Sequence, residues 1–155
     1  MHAKLALAPI AVLVAACAAS GAREHVNLPG RTDQLPFSHV VRAGETYYLA
    51  GTLGVEASGK PPADAEQEAR LMLDDAQKKL ALVGLTMDDL VSVTVFCSDL
   101  TLYDAFNRVY ASYFHGPPPA RAFIGSGPLL RGCRFEVQGR GGGAVAGFGD
   151  KADFC

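Results

Sequence analysis

Residues 90–114, LVSVTVFCSDLTLYDAFNRVYASYF, pass from a strand pattern to a helix pattern within one short segment. The first part is rich in β-branched residues and predicts a buried strand. A helix is expected to begin at Thr101, which forms a capping-box-like pair with Asp104, and to end at Gly116-Pro117. Spacings of three and four predict its apolar stripe, which consists of Leu102, Phe106, Val109, Tyr110 and Tyr113.

Four further strand-like runs flank this segment. HVVRA (39–43) and TYYLAGTLGV (46–55) lie upstream, and Gly44-Glu45 between them is a hairpin signal. ARAFIGS (120–126) and CRFEVQG (133–139) lie downstream and are separated by a turn-prone stretch. Each run has the length and composition of a strand, which predicts five strands in all.

One longer helix is predicted from about Ala63 to Val83, with Gly84 placed to end it. Its apolar residues share one stripe, while charged residues such as Asp75 and Lys79 are expected on solvated faces. The order β-β-α-β-α-β-β indicates a small α+β domain with helices on one sheet face. Because strands such as VSVTVF read as apolar on both faces, the other sheet face is expected to be buried by self-association.

Composition limits the classes of function. The chain has 155 residues, of which 49% are hydrophobic and 19% charged, as in one soluble domain. A formal net charge of −2 argues against nucleic acid as the main partner, because phosphate binding needs a concentrated basic surface. No CxxC pair occurs, and the four histidines lack ligand spacing, so no metal site is expected.

The first residues resemble an export signal. Residues 1–17 combine a short basic start with an apolar run too short for a permanent membrane helix, and they end in VAAC, which resembles a bacterial lipobox. We therefore expect an exported, periplasmic protein that Cys17 anchors to the membrane through a lipid; ordinary cleavage nearby, with Cys17 incidental, is the alternative. Residues 18–34 are interpreted as a tether, 35–139 as the domain and 140–155 as a Gly-rich flexible tail.

Three cysteines remain if Cys17 is lipidated, namely Cys97, Cys133 and Cys155. Three is an odd number, so they cannot all pair within the chain, although an oxidising compartment would permit one disulfide. Cys97 and Cys133 lie in strand-like runs, where a free cysteine acts as a small apolar filler. Buried free thiols are therefore the preferred interpretation.

Four segments together resemble the RidA/YjgF (Rid) family: LPFSHVVRAGETYYLAG (35–51), DDLVSVTVFCSDLTLYDAFNRVYASYF (88–114), PPPARAFIG (117–125) and RFEVQG (134–139). The resemblance covers about residues 35–139. It implies a chorismate-mutase-like α+β fold and a homotrimer with a cleft at each subunit interface. It also implies hydrolysis of reactive 2-imino acids and their enamine tautomers to 2-keto acids and ammonia, without a cofactor.

The resemblance also assigns site residues. Arg121 lines up with the arginine that binds the substrate carboxylate, and a guanidinium can hold a planar carboxylate by two hydrogen bonds. Glu136 matches a strand glutamate near the cleft that could orient water and accept its proton. Its alternative role is a structural partner for Arg131, Arg134 or Arg121. Asn107 matches a recurrent asparagine that shapes the cleft or interface.

Gly51 matches a glycine where a bare backbone N–H can approach a ligand. Four positions depart from the pattern of the deaminating members. Phe37 replaces a common tyrosine, Ala50 a common serine and Thr52 a frequent glutamine, while Phe123 replaces a small or thiol-bearing residue. The expected cleft therefore keeps its carboxylate clamp but is more apolar, and a bulkier apolar acid is the expected ligand.

Two functions follow as hypotheses. The first is an imine/enamine deaminase in which Arg121 binds the carboxylate and Glu136 orients the attacking water. The second is a non-catalytic, exported trimer that binds small carboxylates, which the changes at Phe37 and Ala50 favour. RNA cleavage is a weaker third hypothesis, because the chain is acidic and has no histidine pair.

Overall fold

A computed structural model describes residues 22–142. Six strands and two α-helices follow one another in the chain: β1 Arg23–Val26, β2 Val40–Ala43, β3 Thr46–Leu53, α1 Ala65–Ala81, β4 Leu90–Cys97, α2 Tyr103–Ala111, β5 Ala120–Gly125 and β6 Phe135–Gly142. The strands form one sheet in the order β1-β2-β3-β6-β4-β5, in which only β4 and β5 are parallel. The predicted α+β fold, with both helices on a mixed sheet, is confirmed.

The sheet extends beyond the predicted domain at both ends. β1 lies within the segment interpreted as a tether and pairs antiparallel with β2, so the sheet has six strands rather than five. Three of the four β1 residues are exposed, so the sequence of β1 lacks the alternation of apolar residues from which a strand is predicted. β6 continues to Gly142, into the segment predicted to be a flexible tail. The rest of that tail and the predicted signal lie outside the described residues.

α1 is bounded by specific caps. The Asp64 side chain accepts a hydrogen bond of 2.7 Å from the Gln67 backbone N–H at the N-terminus. At the other end Gly84 has a φ of +73°, and the Leu85 N–H donates to the Leu80 carbonyl at 3.1 Å. This left-handed glycine and the Leu85–Leu80 hydrogen bond end the helix, as the sequence predicted.

Two charged residues of α1 are buried. Lys79 was expected on a solvated face, and that prediction is wrong: its Nζ donates to Thr52 Oγ1 at 3.0 Å and lies 2.7 Å from Asp75 Oδ2. Glu68 is fully buried and accepts hydrogen bonds from the backbone N–H groups of Arg134 and Phe135. Helical periodicity identifies the face of a helix but not a polar partner on another element, so neither contact was predictable from it.

α2 begins differently from the prediction. Asp99, rather than Thr101, is the capping residue, since its side chain accepts from the Thr101 backbone N–H at 3.0 Å and from the Thr101 hydroxyl at 2.6 Å. A short 3₁₀ turn, Leu100–Leu102, precedes the α-helix, and the helix ends at Ala111, before the predicted Gly116-Pro117. The prediction that a short polar side chain caps the start of this segment is correct, and only the identity of the capping residue differs.

β4 has two different faces. Val93, Val95 and Cys97 are buried against the core, whereas Ser92 and Thr94 lie on the face that the helices leave uncovered. The expectation that this strand is apolar on both faces holds on the uncovered face only for Phe96, since Ser92 and Thr94 make the rest of that face polar.

Cys97 and Cys133 are both buried and free, as predicted. Burial raises the pKa of each thiol, so both remain protonated at neutral pH. Cys17 and Cys155 lie outside the described residues. Within residues 22–142, no helix is both long and apolar enough to cross a membrane.

Candidate functional site

Arg121 projects from β5 toward α2. It pairs in register with Val93 of β4, which is buried in the core, so the two side chains lie on the helix-covered face. Its Nη2 donates a hydrogen bond of 2.8 Å to Asn107 Oδ1 on α2. The structure therefore brings together two residues that the sequence assigned to the cleft, and Asn107 fixes the orientation of the guanidinium.

Aromatic rings surround the Arg121 guanidinium. Its Cζ lies 4.6 Å from the ring centroid of Tyr110, 5.6 Å from Phe123, 5.8 Å from Tyr103 and 5.9 Å from Phe106. Rings at these distances attract a cation through their π faces but do not neutralise its charge. No carboxylate forms an ion pair with Arg121 anywhere in residues 22–142. The charge is held in place and remains available to an anion.

A cavity of about 410 Å³ opens beside this guanidinium. Its lining consists of Asn107, Tyr110, Ala111, Pro118, Pro119 and Arg121. We refer to Arg121, Asn107, Tyr110 and Phe123 as the arginine half-site. Tyr110 was assigned only to the apolar stripe of α2, since spacing alone does not distinguish a core ring from one that borders a cavity.

Glu136 lies on the opposite face of the sheet. Its neighbours in β6, Phe135 and Val137, are buried in the core, so the Glu136 side chain points away from the helices. Gly51 of β3 lies beneath it, and a Cβ added to Gly51 would stand 2.1 Å from Glu136 Oε1. Gly51 is thus required for the observed position of the carboxylate.

Glu136 forms no hydrogen bond or ion pair with the residues described. Arg134, one of the structural partners considered for it, instead donates through Nε to Glu68 at 2.6 Å. Arg131 donates to the Gly59 carbonyl at 3.2 Å, and Arg121 is bonded to Asn107. The carboxylate is therefore free to accept hydrogen bonds from water or a ligand.

A second, larger cavity of about 620 Å³ borders Glu136. Its lining is largely apolar and consists of Leu35, Phe37, His39, Ala50, Gly51, Leu53, Val55, Asp75, Leu130, Arg131 and Glu136. We refer to Glu136, Gly51, Phe37 and Arg131 as the glutamate half-site. Arg131 has a φ of +60°, a conformation that is uncommon outside glycine, and sequence patterns gave no sign of it.

Arg31 holds the loop that forms one wall of this cavity. Its guanidinium donates to the carbonyl of Phe37 at 2.7 Å and to that of Leu35 at 3.1 Å, and it lies over the Phe37 ring at 4.9 Å. Asn27 and Asp33 also accept hydrogen bonds from Arg31, at 2.6 and 2.7 Å. This residue fell within the predicted tether, and its structural role was missed.

The two half-sites do not meet within the described chain. Arg121 and Glu136 face opposite sides of the sheet and lie on strands separated by β4, a lateral distance of about 9.5 Å for two strand spacings. The six predicted cleft residues thus divide into two groups of three, with Arg121, Asn107 and Phe123 on one side. Glu136, Gly51 and Phe37 lie on the other.

The histidines of the described chain have separate surroundings. His25 hydrogen-bonds Ser38 at 3.0 Å, His39 accepts from the Leu28 N–H at 3.1 Å, and His115 lies 3.2 Å from Asp88. No group of three or more His, Cys, Asp or Glu side chains suited to a metal ion occurs within residues 22–142.

Comparison with known proteins places this chain among a recognisable set of relatives. The family model described as Endoribonuclease L-PSP matches residues 32–140. The mouse 2-iminobutanoate/2-iminopropanoate deaminase is 30% identical over 105 residues, which cover 66% of this chain and 78% of that protein. Protein DfrA of Myxococcus xanthus is 31% identical over 107 residues, covering 66% and 82% respectively. The YjgF gene product of E. coli is similar in structure, with a TM-score of 0.67, 26% identity and coverage of 71% of this chain and 90% of that chain.

Proposed function

The chain belongs to the Endoribonuclease L-PSP (RidA/YjgF) family, and from this premise we propose that it hydrolyses 2-imino acids to 2-keto acids and ammonia. The observation that carries the proposal is the Arg121 guanidinium, which is oriented by Asn107 and has no counter-charge among the described residues. A 2-imino acid offers one fixed handle, its carboxylate, and arginine binds that group through two parallel hydrogen bonds. The name of the mouse relative supports this choice of substrate.

The chemistry requires only water as a second reactant. With the carboxylate held by Arg121, the Glu136 carboxylate accepts a proton from a water molecule as its oxygen attacks the C=N carbon. Glu136 then returns the proton to the nitrogen, which gives a carbinolamine. Glu136 next accepts the carbinolamine hydroxyl proton and passes it to the amino group, so that the C–N bond breaks and ammonia leaves as the C=O bond forms. Orientation supplies much of the catalysis, because imine hydrolysis is intrinsically easy.

A cleft between subunits would unite the two half-sites. Since Arg121 and Glu136 lie on opposite faces of one sheet, the proposal requires the arginine half-site of one subunit to meet the glutamate half-site of another. Exposed apolar side chains border the glutamate half-site, with Phe37 45% and Leu130 73% exposed, and they favour burial by a neighbouring subunit. A homotrimer is the assembly we propose.

Subunit mixing tests the shared site directly. Arg121→Ala and Glu136→Gln chains carrying different tags are co-expressed, and hybrids containing both are purified and assayed on a 2-imino acid generated in situ. In every trimer that contains both variants, one of the three clefts would combine an intact Arg121 with an intact Glu136, so activity should return to about a third of the parental value. Each variant mixed with itself is the control. Hybrids no more active than the two controls would contradict a site shared between subunits.

The oligomeric state gives an independent test. Light scattering on the full chain should report a mass three times that of the monomer. The full chain is the appropriate sample, because β1 and Arg31 lie before residue 35 and would be lost from a shorter fragment. A monomer at micromolar concentration would contradict both the trimer and the intersubunit cleft.

A non-catalytic carboxylate-binding protein is the second candidate function. Phe37 and Ala50 border the glutamate half-site without a hydroxyl group that could touch substrate or water, which favours binding without turnover. In this case the parent protein would bind 2-oxobutanoate and lose affinity on Arg121→Ala, yet it would hydrolyse no imine. The net charge of −2 and the separated histidines give no support to RNA cleavage.

Export and lipidation form a separate proposal. The apolar run ending in VAAC suggests that the mature protein begins at a diacylated Cys17 and resides in the periplasm as a membrane-anchored lipoprotein. Mass spectrometry of the native protein should find the lipidated cysteine, and Cys17→Ser should remove it. A form cleaved elsewhere and left unmodified would overturn this proposal without affecting the site assignment.

A further inference from the structure

The hydroxyl of Tyr110 is buried without a hydrogen-bond partner. Tyr110 is only 5% exposed, and its hydroxyl is the one buried side-chain polar atom in residues 22–142 that lacks a partner. Buried polar groups are almost always hydrogen-bonded, since leaving one unpaired destabilises the folded state. An orphaned hydroxyl therefore points to a partner that binds from outside the chain.

The position of Tyr110 identifies the site that this partner would occupy. Tyr110 borders the 410 Å³ cavity together with Arg121 and Asn107. Its ring stacks against Phe106 at 5.6 Å and packs against Phe114 at 4.8 Å, and both contacts fix its orientation. The Arg121 guanidinium lies 4.6 Å above the same ring. The guanidinium and the Tyr110 side chain thus border the same cavity.

The protonation state of the hydroxyl fits an anionic ligand. Burial raises the pKa of Tyr110 to about 12, and the nearby Arg121 charge offsets only part of this effect. The hydroxyl therefore keeps its proton at neutral pH and can donate a hydrogen bond. A neutral donor beside an unpaired guanidinium suits a carboxylate, whose two oxygens accept more hydrogen bonds than one arginine supplies.

Tyr113 provides a comparison on the same part of the chain. Its hydroxyl donates to Asp74 Oδ1 at 2.7 Å and lies 3.2 Å from the Arg70 carbonyl, both on α1. The packing of the two helices thus satisfies the hydroxyl of Tyr113 within the fold and leaves that of Tyr110, a residue bordering the cavity, without a partner.

We propose that the Tyr110 hydroxyl is a further ligand-binding group, which donates a hydrogen bond to the carboxylate that Arg121 holds. The inference rests on the proposed function, because it takes the carboxylate of the 2-imino acid as the ligand of Arg121. It adds a donor from α2 to the donor from β5, so that the carboxylate is fixed by groups on two elements. Such a third hydrogen bond would restrict rotation of the carboxylate and orient the adjacent C=N carbon.

Tyr110→Phe and Tyr113→Phe form a matched pair for the test. The probe is 2-oxobutanoate, a stable 2-keto acid, with affinity measured by calorimetry and stability by thermal unfolding without ligand. Tyr110→Phe should weaken binding about tenfold, the size expected for one hydrogen bond to a charged group. Its Tm should stay the same or rise, because the substitution removes an unpaired buried hydroxyl. Tyr113→Phe should lower Tm and leave affinity unchanged.

The outcomes separate this inference from the proposed function. Unchanged affinity in Tyr110→Phe would overturn the inference, whether or not Tm changes; a fall in Tm would then indicate a structural water as the partner. Imine turnover is assayed separately. A parent protein that binds 2-oxobutanoate without hydrolysing imines would refute the proposed deaminase activity, and the role of Tyr110 would then be decided by the affinity of Tyr110→Phe alone. A parent that hydrolyses imines but does not bind 2-oxobutanoate would refute the inference and leave the enzyme standing.

Discussion

The arginine and glutamate half-sites are built in different ways. Arg121 and Asn107 lie on β5 and α2, and packed aromatic rings surround the guanidinium. Glu136 also lies on a strand, but its cavity is bounded by the loop that Arg31 holds and by Arg131 at positive φ. The Arg121 guanidinium is therefore preorganised by packed side chains, whereas the surroundings of Glu136 are formed largely by loops. Binding and turnover should therefore respond to different substitutions.

The largest effect is expected at Arg121. Arg121→Ala should abolish detectable imine hydrolysis and weaken 2-oxobutanoate binding by about 100-fold, because two hydrogen bonds to a charged group are lost. Arg121→Lys should recover little, since a point charge on a flexible stem does not reproduce the planar fork. Kinetics and calorimetry measure the two effects. Arg23→Ala, on an exposed part of β1, is the control. Full activity in Arg121→Ala would show that the anchor is elsewhere.

The second-largest effect is expected at Glu136, in the glutamate half-site. Glu136→Gln should lower kcat on the order of 10²-fold while leaving 2-oxobutanoate affinity close to that of the parent, because an amide keeps the shape but cannot accept the proton. Glu45→Gln, at an exposed carboxylate, is the matched control. If Glu136→Gln lowers 2-oxobutanoate affinity as much as it lowers turnover, Glu136 also contributes to binding, and the proposed separation of binding from catalysis is wrong.

A smaller effect is expected from Gly51→Ala. The added Cβ would stand 2.1 Å from Glu136 Oε1 and must displace that carboxylate. We expect kcat to fall about tenfold with little change in carboxylate affinity, because only the position of the base changes. Gly116→Ala is the control, since a Cβ there meets no atom within 4 Å. An unaltered kcat in Gly51→Ala would show that the position of Glu136 does not matter for catalysis.

The smallest effect concerns pH and His39, which borders the glutamate half-site. Burial, followed by the nearby Lys79 charge, lowers the pKa of His39 below its usual 6.5. The unfolded chain therefore binds this proton more tightly than the folded protein, so the free energy of unfolding should be greatest above pH 6.5 and fall as the pH drops. In His39→Asn, whose amide oxygen can still accept from the Leu28 N–H, this part of the pH dependence should disappear. Thermal unfolding at pH 7 and pH 5 measures it.

The fold class and the proximity of Arg121 to Asn107 could be predicted from the sequence. The division of the site residues between the two faces of the sheet could not. Motif resemblance grouped Arg121 with Asn107, and the structure joins them by a hydrogen bond. The same resemblance gave no indication that Glu136 faces the other side of the sheet, because strand alternation becomes informative only once the buried neighbours are known. Tyr110 was assigned to the core because helical spacing records apolar character and does not show whether a hydroxyl finds a partner. Glu68 was missed for a related reason, since its partners lie at the start of β6.

The placement of Arg121 and Glu136 on opposite faces has a consequence for gene dosage. In the proposed ring each subunit contributes an anchor to one cleft and a base to the next, so every chain borders two clefts. A subunit lacking both groups would damage both of its clefts and leave only the cleft between its two intact neighbours. Co-expression of such a chain with the parent should therefore depress activity more steeply than dilution alone, which makes the double variant a dominant inhibitor.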